Sequence, residues 1–121
     1  LCNYNLTDFC ASTMGGKIWY FKWNEQNNNH EMIGPINAHK KEIYGITQIN
    51  NGNVASVSRD LSIKFWDIKN SICICKIDIG ANDLVIQLKD GRLCCASNNH
   101  LITIFNNLPE NNKYNLLSID D

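Results

Sequence analysis

The chain has 121 residues, of which 44% are apolar, and it carries eleven basic and twelve acidic side chains. This length suits one globular domain with a modest core, and the near balance of charge argues against a nucleic-acid-binding surface or a polybasic membrane-binding surface. No run reaches the roughly 18–20 apolar residues of a membrane helix and the chain start lacks the features of a secretion signal, so the sequence predicts an intracellular protein, cytoplasmic or nuclear.

The first third of the chain predicts a hairpin turn and a surface loop. The segment MGGK (14–17) has the two glycines of a tight turn. Further on, NEQNNNHE (24–31) is rich in asparagine, which favours turns and tolerates left-handed backbone. Its run of three asparagines predicts an inserted, mobile surface loop.

The middle of the chain predicts four consecutive β-strands. Runs of six to nine residues rich in Ile, Val and aromatic side chains are separated by Asn-Gly, Arg-Asp-Leu and Lys-Asn. Short turns between alternating runs are typical of antiparallel hairpins. The predicted strands are EIYGITQI (42–49), NVASVS (53–58), SIKFWDI (62–68) and SICICKIDI (71–79).

Six cysteines raise the question of disulfides or a metal site. Cys73 and Cys75 lie in an alternating strand pattern, while Cys94 and Cys95 are adjacent and must face opposite sides of a strand. Their spacing matches no common zinc site. The sequence therefore favours buried free thiols, with a disulfide or a metal as the alternative, and it predicts no cofactor.

The strand pattern repeats at a period of about 40 residues. Moved forward by 39 positions, NGNVASVSRDLSIKFWD (51–67) aligns without a gap on DGRLCCASNNHLITIFN (90–106). Moved back by 45 positions, it aligns on TDFCASTMGGKIWYFK (7–22). Three copies at this period, each with four strands, are typical of a β-propeller. One four-stranded sheet cannot bury both of its faces, so neighbouring copies are expected to stack.

The middle copy resembles a WD40 repeat. It has the histidine before the innermost strand, the serines of the second strand, the aspartate of the tight turn and the closing Trp-Asp pair of that family. The matching residues are Ala38-His39, Ser56, Ser58, Asp60 and Trp66-Asp67. The flanking copies keep the hydrophobic pattern only, because Gly15 and Asn99 replace the turn aspartate and phenylalanines replace the tryptophan.

The resemblance implies an all-β fold, a WD40-type β-propeller with about three consecutive four-stranded antiparallel blades. The predicted units are a partial blade at 1–36 that starts at the end of its innermost strand, a complete blade at 37–80 and a degenerate blade at 81–121. Three blades cannot close a ring that has seven blades in most of the family. The sequence therefore predicts that further blades of a longer parent chain, or assembly, complete the ring.

The resemblance also implies a hydrogen-bonded chain inside the middle blade. In this family the indole N–H donates to a serine hydroxyl, the hydroxyl bonds the imidazole, and the imidazole meets the turn aspartate. The residues concerned are His39, Ser56, Ser58, Asp60 and Trp66. The alternative is a hydrolase triad, but both serines lie inside an apolar strand and not on the strand-to-helix elbow that exposes a nucleophile. The sequence therefore favours a structural role.

A noncatalytic scaffold for other proteins or peptide segments is the function that the resemblance implies. Partners of such propellers dock mainly on the face where the innermost-strand entry loops meet the second turns. The candidate contact residues there are Glu42, Tyr44, Arg59, Asp83 and Asn98, and Met14 occupies the corresponding turn of the first copy. One alternative is an accessory or substrate-recognition domain of a larger enzyme. Another is a phosphoinositide-binding propeller, which the single arginine of SRDLS (58–62) argues against.

Overall fold

The computed structural model describes residues 2–3, 7–49, 53–78, 84–96, 101–105 and 116–120. These residues form twelve strands in three antiparallel sheets of four strands each, in chain order, and none of them is helical. The predicted all-β fold of consecutive four-stranded units is therefore confirmed. The unit boundaries at residues 36 and 80 stay predictions.

Each sheet is a simple meander in which strands adjacent in sequence pair with each other. The first sheet contains β1 (Cys2–Asn3), β2 (Phe9–Ser12), β3 (Lys17–Asn24) and β4 (Asn29–Asn37). The second contains β5 (Ile43–Gln48), β6 (Val54–Ser58), β7 (Ser62–Asp67) and β8 (Ile72–Asp78). The third contains β9 (Leu84–Gln87), β10 (Leu93–Ala96), β11 (Leu101–Phe105) and β12 (Leu116–Asp120).

Strand pairing follows the sequence repeat residue for residue. In the second and third strands of each sheet, the residues that the 39- and 45-residue offsets align form equivalent cross-strand pairs. These pairs are Phe9 with Phe21, Val54 with Trp66, and Leu93 with Phe105. The repeat in the sequence is therefore a repeat in the backbone register.

Two apolar clusters hold the three sheets together. The face of β6 that carries Val54 packs with residues of the first sheet such as Cys10 and Ile18. Its other face, with Ala55 and Val57, packs with the third sheet. Alternation along one strand thus supplies both interfaces, which is why all five residues of β6 are buried.

The asparagine-rich segment differs from its prediction as a loop. Strand β3 extends to Asn24 and β4 begins at Asn29, so the turn is confined to residues 25–28. The Asn24 side chain accepts hydrogen bonds from the backbone N–H groups of Gln26 and Asn27, at 2.9 and 3.2 Å. Asn28 adopts the left-handed conformation, with φ of 52°. Asparagine residues here stabilise a short hairpin turn and do not form an inserted mobile loop.

The cysteines are all free thiols, but they are not all buried. Cys10, Cys75 and Cys95 are buried, Cys2 and Cys94 are half-buried, and Cys73 is exposed on the outermost strand of the second sheet. The predicted burial is therefore wrong for Cys73. The pairing of β7 with β8 shifts register there, with Cys75 opposite Phe65 and Cys73 opposite Trp66, so the two cysteines face opposite sides of the sheet although they are two residues apart.

Candidate functional site

A chain of hydrogen bonds crosses the middle sheet on the side that faces the first sheet. The Trp66 Nε1–H donates to Ser56 Oγ at 3.0 Å, and Ser56 Oγ lies 2.7 Å from His39 Nε2. On the other side of the imidazole ring, His39 Nδ1 lies 2.8 Å from Asp60 Oδ2. These contacts join the loop before β5, strands β6 and β7, and the turn between them.

The partners fix the tautomer of His39. The indole N–H can only donate, so the Ser56 oxygen accepts from it and gives its own proton to His39 Nε2. The ring proton must then lie on Nδ1, where it is donated to the Asp60 carboxylate. A doubly protonated ring would direct a second N–H at Ser56 and leave the serine proton without an acceptor. The geometry therefore selects neutral imidazole.

The pKa directions agree with this assignment. Burial lowers the pKa of His39 below its ordinary value of 6.5, against the opposing effect of the Asp60 carboxylate. Burial also acts to raise the pKa of Asp60, but hydrogen bonds from Ser62 and His39 outweigh it and hold that pKa below 3.8. The site thus pairs a neutral imidazole with a carboxylate.

Ser56, His39 and Asp60 have the mutual contacts of a hydrolase triad, yet burial argues against that use. Ser56 is 0% exposed in the middle of β6, and its oxygen already accepts the indole proton. A nucleophile needs access to a substrate carbonyl and a free lone pair directed at it. The arrangement can tie the loop and the turn to the sheet, and it offers no surface for attack.

The two strand serines have different contacts. Ser58 Oγ accepts from the Asp60 backbone N–H at 3.1 Å and lies 3.4 Å from the Lys41 carbonyl oxygen, so it orders the turn and does not touch the indole. Ser62, which the sequence reasoning did not include, is fully buried and donates to Asp60 Oδ1 through both its hydroxyl and its backbone N–H, at 2.6 and 2.9 Å. The Asp-x-Ser spacing is a signal that could have identified it.

In the flanking sheets, both Ser56 and Trp66 of this hydrogen-bond network are replaced by other residues. At the position of Ser56 the first sheet has Ala11 and the third has Cys95. At the position of Trp66 both have phenylalanine, and Phe21 stacks on Phe9 with ring centroids 4.7 Å apart. Burial raises the pKa of Cys95 to about 12, so it remains a neutral thiol. Apolar substitution of both partners leaves no buried donor unpaired.

The turns and loops next to these hydrogen-bonded residues form one continuous surface. It is here called the loop face and is made of residues 13–17, 38–44 and 59–61. The Gly16 carbonyl oxygen accepts from the N–H groups of Ala38 and His39, at 3.0 and 2.9 Å. The Arg59 N–H donates to the Glu42 carbonyl oxygen at 2.9 Å. Backbone bonds thus fix the turn of the first sheet and the turn of the middle sheet to the loop between them.

Three of the predicted contact residues lie on the loop face. The Arg59 side chain is 60% exposed, and its Nη1 lies 3.5 Å from Glu42 Oε1. The other carboxylate oxygen of Glu42 is buried, with no partner among the described residues. Tyr44 is 45% exposed and sits where the pairing of β5 with β6 shifts register. The arginine therefore contacts Glu42, and the tyrosine is presented separately by a β-bulge.

Leu61 is a loop-face residue that the sequence reasoning missed. It is 49% exposed and has a φ of 69°, in the left-handed region that disfavours a branched side chain. The 45-residue offset aligns it with Gly16, whose φ is 79°. A leucine at a position that suits glycine is the signal that could have found it, since local strain of this kind is concentrated at functional sites.

Two predicted contact residues, Asp83 and Asn98, lie outside the described residues. Within the described part of the chain, no group of three or more His, Cys, Asp or Glu side chains could hold a metal ion. In the same part of the chain, no helix is long and apolar enough to cross a membrane.

The comparisons with known proteins address the fold. Neither the protein-family models nor the curated proteins contain a match. The structure is similar to the crystal structure of Saccharomyces cerevisiae Sqt1, a WD40 propeller protein, with a TM-score of 0.73 and 20% sequence identity. The match covers 82% of this chain and 31% of the Sqt1 chain, so the chain spans less than a third of that propeller. The predicted resemblance is therefore confirmed at the level of fold, and the chain has the fold of about three consecutive blades of a WD40-type β-propeller.

Proposed function

We propose that this chain is part of a noncatalytic scaffold that binds another protein, or a peptide segment of one, on the loop face. The WD40 propeller fold is generally used in this way. The observation that carries the proposal is Leu61, an exposed apolar side chain held in a left-handed turn. Exposed Tyr44 and Arg59 lie on the same face, and both residue types are enriched among the side chains that dominate protein interfaces.

Burial of the hydrogen-bonded residues Ser56 and His39 supports a scaffold function rather than an enzymatic one. Ser56 and His39 are 0% and 6% exposed, so they hold the loop face in place from below and are not accessible to a substrate. We expect Ser56→Ala to change stability and to leave the choice of partner unchanged.

The experiment measures partner affinity in the intact protein. A partner is isolated by affinity capture and then titrated against purified Arg59→Ala and Leu61→Asn variants, with folding checked by circular dichroism. Arg59→Ala is expected to weaken binding by about 1–2 kcal/mol. Asparagine tolerates the left-handed conformation, so Leu61→Asn is expected to fold at least as well as the parent protein and to bind more weakly. Unchanged affinity in both variants would place the binding site elsewhere.

A further inference from the structure

The loop face has a local excess of exposed positive charge in a chain whose net charge is −1. Lys17, Lys40 and Lys41 are exposed and form no ion pair within the described part of the molecule, and Arg59 is the fourth cation. The two carboxylates of this face, Glu42 and Asp60, are largely covered, with side chains 26% and 22% exposed. Each already has a partner, the Arg59 guanidinium and the His39 imidazole respectively.

The opposite end of the sheets shows no such excess. The described turns there, at residues 25–28, 67–71 and 88–92, carry three acidic and three basic side chains. Arg92 and Asp90 pair with each other at 2.8 Å. Among the turns that the structure describes, the excess of positive charge is therefore confined to the loop face.

Apolar side chains lie among these cations. Met14 is 71% exposed in the turn of the first sheet, and Tyr44 and Leu61 extend the apolar surface onto the middle sheet. Lysines around exposed apolar side chains suit a ligand that offers an apolar anchor flanked by anions.

We propose that the loop face binds an acidic peptide segment of a partner protein, with an apolar side chain of the peptide on Met14, Tyr44 and Leu61 and its Asp or Glu carboxylates near Lys17, Lys40 and Lys41. This inference rests on the proposed scaffold function and adds the chemistry of the partner. Long-range attraction between the lysines and the carboxylates orients the peptide and speeds its association. The apolar contacts slow its dissociation, because they remove exposed apolar surface from water.

The same features disfavour two other anionic partners. Nucleic-acid binding depends mainly on neutralising a regular series of phosphates, whereas this face interleaves its cations with carboxylates and apolar side chains. A membrane-binding polybasic segment has on the order of 4–8 clustered basic residues, and here the cations without an ion pair among the described residues are three lysines, Lys17 and the adjacent Lys40 and Lys41.

The test selects peptides by binding and then reads their charge. The intact protein is screened against a random-peptide phage library, and the most enriched peptide is labelled with fluorescein and titrated by anisotropy. The charge-reversal variant is Lys40→Glu with Lys41→Glu. Its matched control is Lys69→Glu with Lys89→Glu, the same charge change on exposed lysines at the opposite end of the sheets.

The expected result is enrichment of peptides that combine Asp or Glu with an apolar residue. Their affinity for the parent protein should fall with added salt, because salt screens the attraction. It should be lower by about tenfold or more in the loop-face variant and stay within about twofold of the parent value in the control. Neutral or basic enriched peptides, or equal losses in both double variants, would overturn the acidic assignment. So would tighter binding of a labelled polyuridylate or of phosphatidylserine vesicles.

The two proposals fail in different ways. Enriched peptides that are not acidic but lose affinity on Leu61→Asn would leave the scaffold function standing and remove only the acidic partner. Enriched peptides whose affinity is unaffected by Leu61→Asn, by Arg59→Ala and by charge reversal would contradict the loop face as a binding site.

Discussion

The hydrogen-bond network of the middle sheet, formed by Trp66, Ser56, His39 and Asp60, depends most on Asp60. Its carboxylate accepts from His39 and twice from Ser62, so its removal strands three donors in a largely buried site. Asp60→Ala is expected to lower the free energy of unfolding by about 1–3 kcal/mol. Chemical denaturation of the intact protein measures this difference.

A matched control for Asp60→Ala is Asp78→Ala. The Asp78 side chain is 75% exposed, and its ion pair with Lys76 spans 3.5 Å at the surface. Such a change is expected to stay within about 0.5 kcal/mol of the parent protein. Equal stability of the two variants would contradict the structural role of the hydrogen-bond network.

His39 makes stability depend on pH in a predictable direction. Because its pKa is lowered in the folded protein, the unfolded chain binds protons more strongly, and the free energy of unfolding falls as the pH drops below about 6.5. Asp60 acts in the same direction at lower pH, since its pKa is held below 3.8. Both contributions are present at neutral pH and are lost on acidification.

The measurement is the free energy of unfolding between about pH 7.5 and 5.5, compared with His39→Gln. The variant lacks the titrating ring, so its stability should vary less over this interval. Equal slopes in the two proteins would show that His39 does not bind its proton more weakly in the folded state.

Among the elements, the turn between β2 and β3 is hydrogen-bonded to the loop that leads from the first sheet into the middle sheet. A Cβ atom on Gly16 would lie 2.0 Å from the His39 carbonyl oxygen and 2.8 Å from that of Lys41, and the φ of 79° adds strain for any other residue. The backbone at His39 and Lys41 cannot move aside without separating the turn from the loop. Gly16→Ala is expected to destabilise the intact protein by at least about 2 kcal/mol.

The neighbouring glycine provides the control for this prediction. A Cβ atom on Gly15 meets only Thr13 Oγ1, at an ordinary 3.7 Å. Thermal unfolding of Gly15→Ala should therefore resemble that of the parent protein, while Gly16→Ala unfolds at a lower temperature. A Gly16→Ala protein as stable as Gly15→Ala would contradict this account of the packing between the turn and the loop.

At the scale of the whole molecule, the outer face of the first sheet is strongly apolar. Phe9, Trp19, Phe21 and Trp23 lie on the face opposite the one that packs against the middle sheet, and all four are partly exposed. The equivalent face of the middle sheet, with Val54 and Trp66, is buried against a neighbouring sheet. An apolar surface of this kind is a site of association.

A protein made of these 121 residues alone is therefore expected to associate or aggregate. Light scattering over a range of concentrations measures its mass. A folded, monodisperse species of 13.8 kDa at every concentration would contradict the prediction. Substitution of Phe21 by Lys should reduce association if this face is responsible, since a charge there opposes its burial.

The sequence by itself determined the all-β class, the four strands of the middle sheet and the repetition of their pattern in the flanking sheets. Strand alternation and turn chemistry are local properties, and the repeat carries the pairing of Val54 with Trp66 to Leu93 with Phe105 without any further information. The resemblance to WD40 repeats also identified His39, Asp60 and Trp66 as members of one hydrogen-bonded chain, which Ser56 completes.

Only the tertiary structure decided which groups complete the site and which side chains remain at the surface. The sequence cannot distinguish Ser56 from Ser58, because the choice depends on which hydroxyl lies under the indole. It did not reveal that the Arg59 guanidinium contacts Glu42, or that Leu61 is held exposed in a left-handed turn. The physical reason is that side-chain contacts and burial depend on how separate strands and turns stack, and residues far apart in the chain set that stacking.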